Sequence, residues 1–143
     1  MTVYGLFVEH YQKYEAIWNG NRGTDLFFQN EMPHDPPSQA AWMEQAGIDG
    51  RAAFKVGDSV TSFTGYGIGS YSFFNYGVDI FAAHALEVLN TLPAVSLNDV
   101  LTILLDATHR KGGIRHVIND TGGPFNRRQP GHPVDSGELP DYW

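Results

Sequence analysis

Two short apolar segments of this sequence end in the same way, and the distance between them limits the folds open to the chain. Residues 6–9 read Leu-Phe-Val-Glu and residues 28–31 read Phe-Gln-Asn-Glu, so Glu9 and Glu31 close segments 22 residues apart. Repeats of this length are typical of β-solenoids, in which coils stack about 4.8 Å apart. The spacing predicts that Glu9 and Glu31 stand on neighbouring coils of one face. Two repeats leave a β-sandwich open as the alternative.

The residue types agree with a chain built from short strands. Glycine occurs 16 times, aromatic residues make up 13% of the chain and charged residues only 17%. Helical domains carry more Glu, Lys and Arg on their solvated faces. Short apolar runs bounded by turn residues predict strands at 3–9, 14–18, 25–31, 51–56, 59–63, 66–74, 97–105 and 113–119. The sequence therefore predicts an all-β fold.

Two segments do not follow the strand pattern. Residues 78–89 place Ala, Leu and Glu at helical spacing, so a short helix and a further strand are both open there. From residue 122 onwards the sequence has four prolines and no apolar period, which is typical of an extended arm. We expect one β-domain over residues 1–123 and a Pro-rich tail over 124–143. Either the helix or the tail would cap the open end of a solenoid.

Charge and cysteine content exclude several classes of function. A formal charge of −7 and a pI near 5.1 disfavour nucleic acid and anionic membrane surfaces, since both bind clustered cations. No apolar run approaches the roughly 20 residues of a membrane helix, and no signal peptide is visible. The absence of cysteine removes disulfides and thiolate chemistry. We expect no cofactor and no metal, because the six histidines (10, 34, 84, 109, 116 and 132) lack metal-binding spacing.

Several motifs in the chain carry a family resemblance. They are VYGLFVEH at 3–10, Gln-x-Glu-x-Pro at 29–33, GIGSYSFF at 67–74 and HVINDTGG at 116–123. Together they resemble the second β-helix of glycoside hydrolase family 55, the twin-β-helix β-1,3-glucanases, and related secreted β-helix proteins. The likeness covers roughly residues 3–123, and the family pattern has Tyr where this chain has His34. It implies a right-handed parallel β-helix of the pectate-lyase type and an extracellular location.

The resemblance also implies roles for two glutamates. The glutamate of the Glu-x-Pro motif matches Glu31, which implies that Glu31 is the general acid of an inverting hydrolase. The glutamate of the Glu-His motif matches Glu9. We expect Glu9 to keep its neighbour protonated by like-charge repulsion, or to position substrate.

Four further residues are expected to bind substrate. His10 and Gln29 belong to the same two motifs as the glutamates. Tyr14 and Trp42 flank the glutamates in sequence, and aromatic rings pack against the C–H faces of sugars. The strong alternative for such aromatic residues is ordinary packing in the core or on the surface. Trp42, just after the Pro-rich loop, is the one that we expect near the cleft.

Two functions are open at this point. The first is hydrolysis or binding of a β-glucan-like extracellular polysaccharide, with an upstream β-helix completing the site. The second is a non-catalytic structural or adhesive unit that self-associates through its solenoid ends or binds glycan. The two glutamates favour the first function. The absence of half of the family's site from this chain favours the second.

Overall fold

The strands wind into two parallel sheets that pack against each other across a shared core. This computed structural model describes residues 1–75, 78–89, 94–105 and 112–121, and the backbone of 136–138. Eleven strands lie in these ranges: β1 (Thr2–Glu9), β2 (Ala16–Trp18), β3 (Gly23–Glu31), β4 (Met43–Gln45), β5 (Ile48–Asp49), β6 (Phe54–Val56), β7 (Phe63–Ser72), β8 (Phe81–Glu87), β9 (Val95–Leu104), β10 (Gly113–Ile118) and β11 (Ser136–Glu138). A turn of 3-10 helix, Gln39–Ala41, precedes β4.

The order of the strands in the sheets is that of a solenoid. One sheet has the order β1-β3-β7-β9-β11 and the other β10-β8-β6-β2, while β4 and β5 form a separate hairpin. Strands β1, β3, β7 and β9 pair in parallel, as do β2, β6, β8 and β10. Each coil thus contributes one strand to each sheet. The described residues form four coils of a parallel β-helix, which confirms the predicted fold class.

The register of the first sheet confirms the expected position of the two glutamates. Glu9 and Glu31 are direct partners in the β1–β3 pairing, so they face the same side. The same register position is occupied by Tyr71 in β7 and by Ile103 in β9. The coils therefore differ in length, and the 22-residue spacing holds only between the first two. The coil after Glu31 is longer because it holds the 3-10 helix and the β4–β5 hairpin.

A column of left-handed residues bends each strand of the larger sheet at the same point. Gly5, Phe27, Gly67 and Asp99 have φ values of 68°, 77°, 66° and 53°. The pairing of β1 with β3, β3 with β7 and β7 with β9 skips this position. A left-handed conformation costs a residue with a Cβ roughly 1–2 kcal/mol. Phe27 and Asp99 therefore hold a strained backbone where glycine would be relaxed.

The core between the sheets is mostly aromatic and aliphatic. Phe28 of β3 packs edge-on against Phe54 of β6, with ring centroids 5.1 Å apart, and Phe54 contacts Phe63. A polar column also faces inward, because Asn30, Ser70 and Thr102 are buried register partners on β3, β7 and β9. Among the described residues, the side chains of Asn30 and Ser70 have no hydrogen-bond partner.

The two ambiguous segments are both strands where the structure describes them. Within residues 78–89, Phe81–Glu87 forms strand β8 and not a helix, because Ala82, Ala85 and Leu86 fill the core beside β6 and β10. Within the predicted tail, Ser136–Glu138 pairs antiparallel with β9 and covers that edge of the sheet. The other tail residues lie outside the described part of the chain. Residues 59–63 do not form a strand of their own, because β7 begins at Phe63.

No helix within the described ranges has the length and apolar character needed to cross a membrane.

Candidate active site

The candidate site lies where β1 and β3 end. Val8 and Asn30 point inward, so the alternation of strand side chains turns Glu9 and Glu31 outward. The backbone N–H of His10 donates to the carbonyl of Glu31 at 2.9 Å, which extends the ladder by one residue. His10 has a φ of 64°, so a left-handed turn directs its ring back over β3. Glu9 is exposed, and the side chain of Glu31 is 29% exposed.

Two imidazoles converge on one oxygen of Glu31. His34 Nε2 lies 2.9 Å from Glu31 Oε2, and His10 Nε2 lies 3.3 Å from the same oxygen. The two Nε2 atoms are themselves 3.1 Å apart. The His34 ring packs edge-on against Phe73, with centroids 5.3 Å apart, which fixes its orientation. We call Glu9, His10, Glu31 and His34 the strand-end cluster; it can hold, give or receive a proton at Glu31.

Glu15 is a buried carboxyl beside this cluster that the sequence did not single out. Its Oε1 accepts a hydrogen bond from the Tyr11 backbone N–H at 3.1 Å, while Oε2 is buried without a partner among the described residues. Burial raises the pKa of Glu15 to about 7, the negative charge of Glu9 adds to the rise, and the Tyr11 N–H opposes it. The available signal was a single charged residue inside the apolar run YEAIW at 14–18.

A pair of exposed aromatic rings lies on the outer face of the same two strands. Phe7 is 60% exposed and Phe27 is 49% exposed, with ring centroids 5.5 Å apart. Phe7 stands two residues before Glu9, so the two side chains share a face about 7 Å apart along the strand. Sequence reasoning missed both rings because apolar residues inside a strand indicate the core, and only the bend at Phe27 turns its ring outward.

Gln29 lies on the same outer face as Glu31. It is the register partner of Phe7 on β3 and lies two residues before Glu31, so all three side chains belong to the outer face. The predicted group of Glu9, His10, Gln29 and Glu31 is therefore brought together. His34 enters the group from the loop that follows β3.

Trp42 and Tyr14 lie elsewhere. Trp42 is only 3% exposed, donates from Nε1 to the Gln12 carbonyl at 3.1 Å and packs against Phe74. A sugar cannot stack on a ring that is buried in the core, so Trp42 is corrected to a core residue. The Tyr14 hydroxyl makes hydrogen bonds with Glu44 at 2.8 Å and Glu87 at 2.9 Å. Tyr14 therefore belongs to a second polar group and not to the strand-end cluster.

This second group, which we call the Tyr14 cluster, consists of Tyr14, Glu44, Lys55, His84 and Glu87. The ammonium of Lys55 contacts the carboxylate of Glu87 and lies over the ring of Tyr14. Burial raises the pKa of Tyr14, and its hydrogen bonds to Glu44 and Glu87 add to the rise. Burial lowers the pKa of His84 despite the negative charges of Glu87 and Glu44 nearby. Within this cluster the negative charge of Glu87 is thus compensated by Lys55.

Together the fold and the strand-end cluster define a parallel β-helix with a carboxylate and imidazole site on its outer face. A family model described as the LAM55 pectate lyase-like domain matches residues 1–31, which include both glutamates of this site. An exo-beta-1,3-glucanase of Streptomyces sp. (strain SirexAA-E / ActE) is 45% identical over 120 residues. This match covers 84% of the chain and 19% of the glucanase.

Two solved structures from Streptomyces sp. SirexAA-E have the same fold. The structure of sacteLam55A superposes with a TM-score of 0.85 at 39% identity and covers 99% of this chain. An ensemble refinement of a variant of sacteLam55A in complex with glucose gives a TM-score of 0.85 at 38% identity and the same 99% coverage of this chain. The chain spans 24% of each of these proteins. These similarities confirm the resemblance to a β-helix of glycoside hydrolase family 55 that the sequence motifs indicate.

Proposed function

We propose that this β-helix supplies the acid side of a site that hydrolyses a β-1,3-glucan, with Glu31 as the general acid. The observation that carries the proposal is the position of Glu31, half-buried on the outer face between two imidazoles and in register with Glu9. The glucanase to which the chain is similar, and the glucose complex of sacteLam55A, support this substrate class. Because such polysaccharides are extracellular, we also propose an extracellular location.

The arrangement at Glu31 suits proton donation to a leaving oxygen. Both imidazole contacts are made to Oε2, and Oε1 takes no hydrogen bond from the described side chains. Oε1 can therefore face a glycosidic oxygen while His10 and His34 hold the carboxyl in place. In an inverting hydrolase the base stands roughly 6.5–9.5 Å from the acid, on the far side of the sugar ring. Glu9 neighbours the acid, and the opposite wall of the cleft is expected from a second β-helix.

The exposed rings supply a surface for the sugar. Phe7 and Phe27 present apolar faces beside the acid, and such faces pack against the C–H faces of a pyranose. The amide of Gln29 lies between the rings and Glu31 on the same face, within reach of sugar hydroxyls. This surface supports glucan binding whether or not hydrolysis occurs.

Replacing Glu31 by Gln tests the catalytic part of the proposal. General-acid catalysis contributes about 10²–10⁴-fold, so Glu31→Gln should lower kcat for laminarin by that factor and leave oligosaccharide binding nearly intact. The assay uses the longest natural chain that contains these residues. Glu44→Gln is the matched control, since it makes the same chemical change in the Tyr14 cluster and should keep kcat within a factor of two or so. An unchanged kcat in Glu31→Gln would remove the acid role.

Glycan binding without hydrolysis is the second candidate function. It is favoured by the exposed rings of Phe7 and Phe27, which offer a sugar an apolar surface that does not depend on the acid. In that case wild-type protein should bind laminari-oligosaccharides without releasing reducing sugar. Phe7→Ala should then weaken binding while Glu31→Gln changes nothing.

A further inference from the structure

The strand-end cluster brings three possible metal ligands to one point. His10 Nε2, His34 Nε2 and Glu31 Oε2 are separated from one another by 2.9, 3.1 and 3.3 Å. Zinc binds histidine nitrogen and carboxylate oxygen at about 2.0–2.2 Å, so tetrahedral ligands lie roughly 3.3–3.5 Å apart. The three atoms are therefore at nearly the separation that a bound zinc ion imposes. Two histidines and one glutamate are a donor set that zinc takes in proteins.

The three atoms are poorly matched as a purely hydrogen-bonded group. Each imidazole Nε2 offers either one N–H or one lone pair, and the two nitrogens face each other as well as the same oxygen. Glu31 Oε2 can accept an N–H from each ring, but the 3.1 Å contact between the two nitrogens then holds no proton. A cation at their centre satisfies all three lone pairs together.

Both rings are held in place by features independent of the cluster. The left-handed backbone at His10, with a φ of 64°, directs its ring over β3. The edge-on contact with Phe73 orients the ring of His34. Backbone strain of this kind persists where the surrounding structure enforces it, often at functional sites. The ligands are thus preorganised in the metal-free chain.

We propose that His10, Glu31 and His34 form a site for a divalent transition metal of the zinc class, with a fourth position open to solvent. A metal bound at Glu31 Oε2 holds the carboxylate in its ionised form, so metal binding and proton donation by Glu31 exclude each other. The metal site itself is independent of the proposed function. The inhibition of hydrolysis rests on the proposed function of Glu31.

The Tyr14 cluster is a poorer site even though Glu44, His84 and Glu87 also approach one another. There the Lys55 ammonium already contacts Glu87, and the Tyr14 hydroxyl bonds to both carboxylates. A metal cation would have to displace an ammonium. In the strand-end cluster no Lys or Arg among the described residues forms an ion pair with Glu31, so its carboxylate is open to a cation.

Calorimetric titration of Zn²⁺ into the 143-residue chain, freed of metal by a chelator and without glucan, tests the site. We expect one Zn²⁺ per chain. His34→Phe keeps a ring against Phe73, and His10→Asn keeps a residue type that tolerates positive φ. Each should weaken binding at least about 100-fold, since even outer-shell changes cost 10–100-fold. His116→Asn is the matched control and should bind as wild type does.

Two results overturn the site: wild-type chain that shows no saturable Zn²⁺ binding, or variants that bind with wild-type affinity. Circular dichroism checks that each variant keeps its strand content, and if His34→Phe does not fold, His10→Asn decides. X-ray absorption at the zinc edge should show two imidazoles per ion. A spectrum without imidazole ligands also overturns the proposal.

The effect on hydrolysis is tested separately. Zn²⁺ should inhibit laminarin hydrolysis at the concentration that fills the site, EDTA should restore the rate, and His34→Phe should lose this sensitivity. Zinc binding without inhibition would contradict the claim that metal binding prevents proton donation by Glu31. The metal site itself would be unaffected by that result. The rates are measured on the longest natural chain that contains these residues; absence of hydrolysis there would contradict the proposed function, while the titration still decides the metal site.

Discussion

Two polar clusters of this β-helix contain the same kinds of residue and differ in how their charges are balanced. Within 4.8 Å of one another, the strand-end cluster brings together one glutamate and two histidines, and the Tyr14 cluster two glutamates and one histidine. In the Tyr14 cluster, the Lys55 ammonium contacts the carboxylate of Glu87. The Tyr14 hydroxyl forms hydrogen bonds with Glu44 and Glu87. In the strand-end cluster the partners of Glu31 are two titratable imidazoles. A carboxylate neutralised by lysine is fixed, whereas one held by imidazole can exchange a proton or a metal ion.

The two clusters also differ in how far their side chains are exposed to solvent. The side chain of His10 is 46% exposed, while those of Lys55 and Glu87 are 20% and 22% exposed. Burial makes the Tyr14 cluster a structural element, because a lost partner leaves a poorly hydrated charge. The strand-end cluster faces solvent beside two exposed rings. The comparison indicates that the strand-end cluster serves chemistry and that the Tyr14 cluster serves stability.

The largest effect on stability is expected from the ionisation of Glu15, which lies beside the strand-end cluster and makes the free energy of unfolding depend on pH. Its pKa of about 7 in the folded chain exceeds the 4.5 of a free glutamate, so the folded state binds the proton more tightly. The stabilisation is complete below pH 4.5, is lost as pH rises towards 7, and stays lost above. The change amounts to roughly 3 kcal/mol. Urea unfolding at several pH values should show it, and Glu15→Gln should remove most of it.

Burial also raises the pKa of Asp25 to about 6, so the ionisation of Asp25 lowers the free energy of unfolding over a similar pH range. The effect of Glu15 is therefore the difference between the curves of the wild type and of Glu15→Gln. Glu44→Gln serves as the control and should keep the wild-type slope. A slope that is unchanged in Glu15→Gln would mean that Glu15 is not a buried, uncompensated acid. The contrast between the clusters would then lose its electrostatic basis.

The next largest effect on stability is expected in the Tyr14 cluster. Lys55→Met removes the cation that contacts Glu87, and a hydrogen bond to a charged group contributes about 1.5–3 kcal/mol. We expect a loss of about 2 kcal/mol in the free energy of unfolding, measured with urea at pH 7, without loss of glucan binding. Glu31→Gln, in contrast, should change stability by no more than about 0.5 kcal/mol. Equal losses in both variants would erase the distinction between the clusters.

The smallest effect is expected at the bend of β3. Phe27→Asn removes an exposed ring and places a residue that tolerates positive φ where phenylalanine is strained. The free energy of unfolding should hold or rise by up to about 1 kcal/mol, while binding of laminari-oligosaccharide weakens.

Gly67→Ala makes the opposite change at the corresponding position of β7, because it introduces a Cβ where the backbone is left-handed. It adds a Cβ at a φ of 66°, with its nearest neighbouring atom 3.6 Å away in Phe27. Stability should fall by about 1 kcal/mol and binding should stay unchanged. Loss of stability in Phe27→Asn would show that the ring supports the fold and does not serve as a sugar platform.

The sequence predicted those parts of the site that depend on strand register. Glu9, Gln29 and Glu31 lie in motifs at strand ends, and alternation alone places them on one face once β1 and β3 pair. The β-helix itself could be predicted from the repeat together with the family motifs. The 22-residue repeat and the motifs are both visible in the sequence, so the register of β1 and β3 could be predicted without knowing the path of the loops.

The remainder of the site depends on tertiary contacts. His34 reaches Glu31 through a loop whose path no local pattern determines, and histidines 24 residues apart gave no metal-binding spacing. Trp42 follows a Pro-rich loop, which favoured the surface, yet the loop folds back and buries it. Residues 78–89 have alanines that suit helix or strand, and pairing with β6 and β10 decides for the strand.

The unequal coils have a consequence for how such a protein can change. The ladder of β1, β3 and β7 depends only on where each strand re-enters the sheet, so the segment between β3 and β6 can lengthen without disturbing any pairing. In this chain that segment delivers His34 to Glu31 and carries the β4–β5 hairpin. Because Trp42 of that segment is buried in the core, insertion is tolerated at exposed positions such as the turn between β4 and β5. Selection or design can therefore change the exposed residues around the acid while the core and the ladder stay constant.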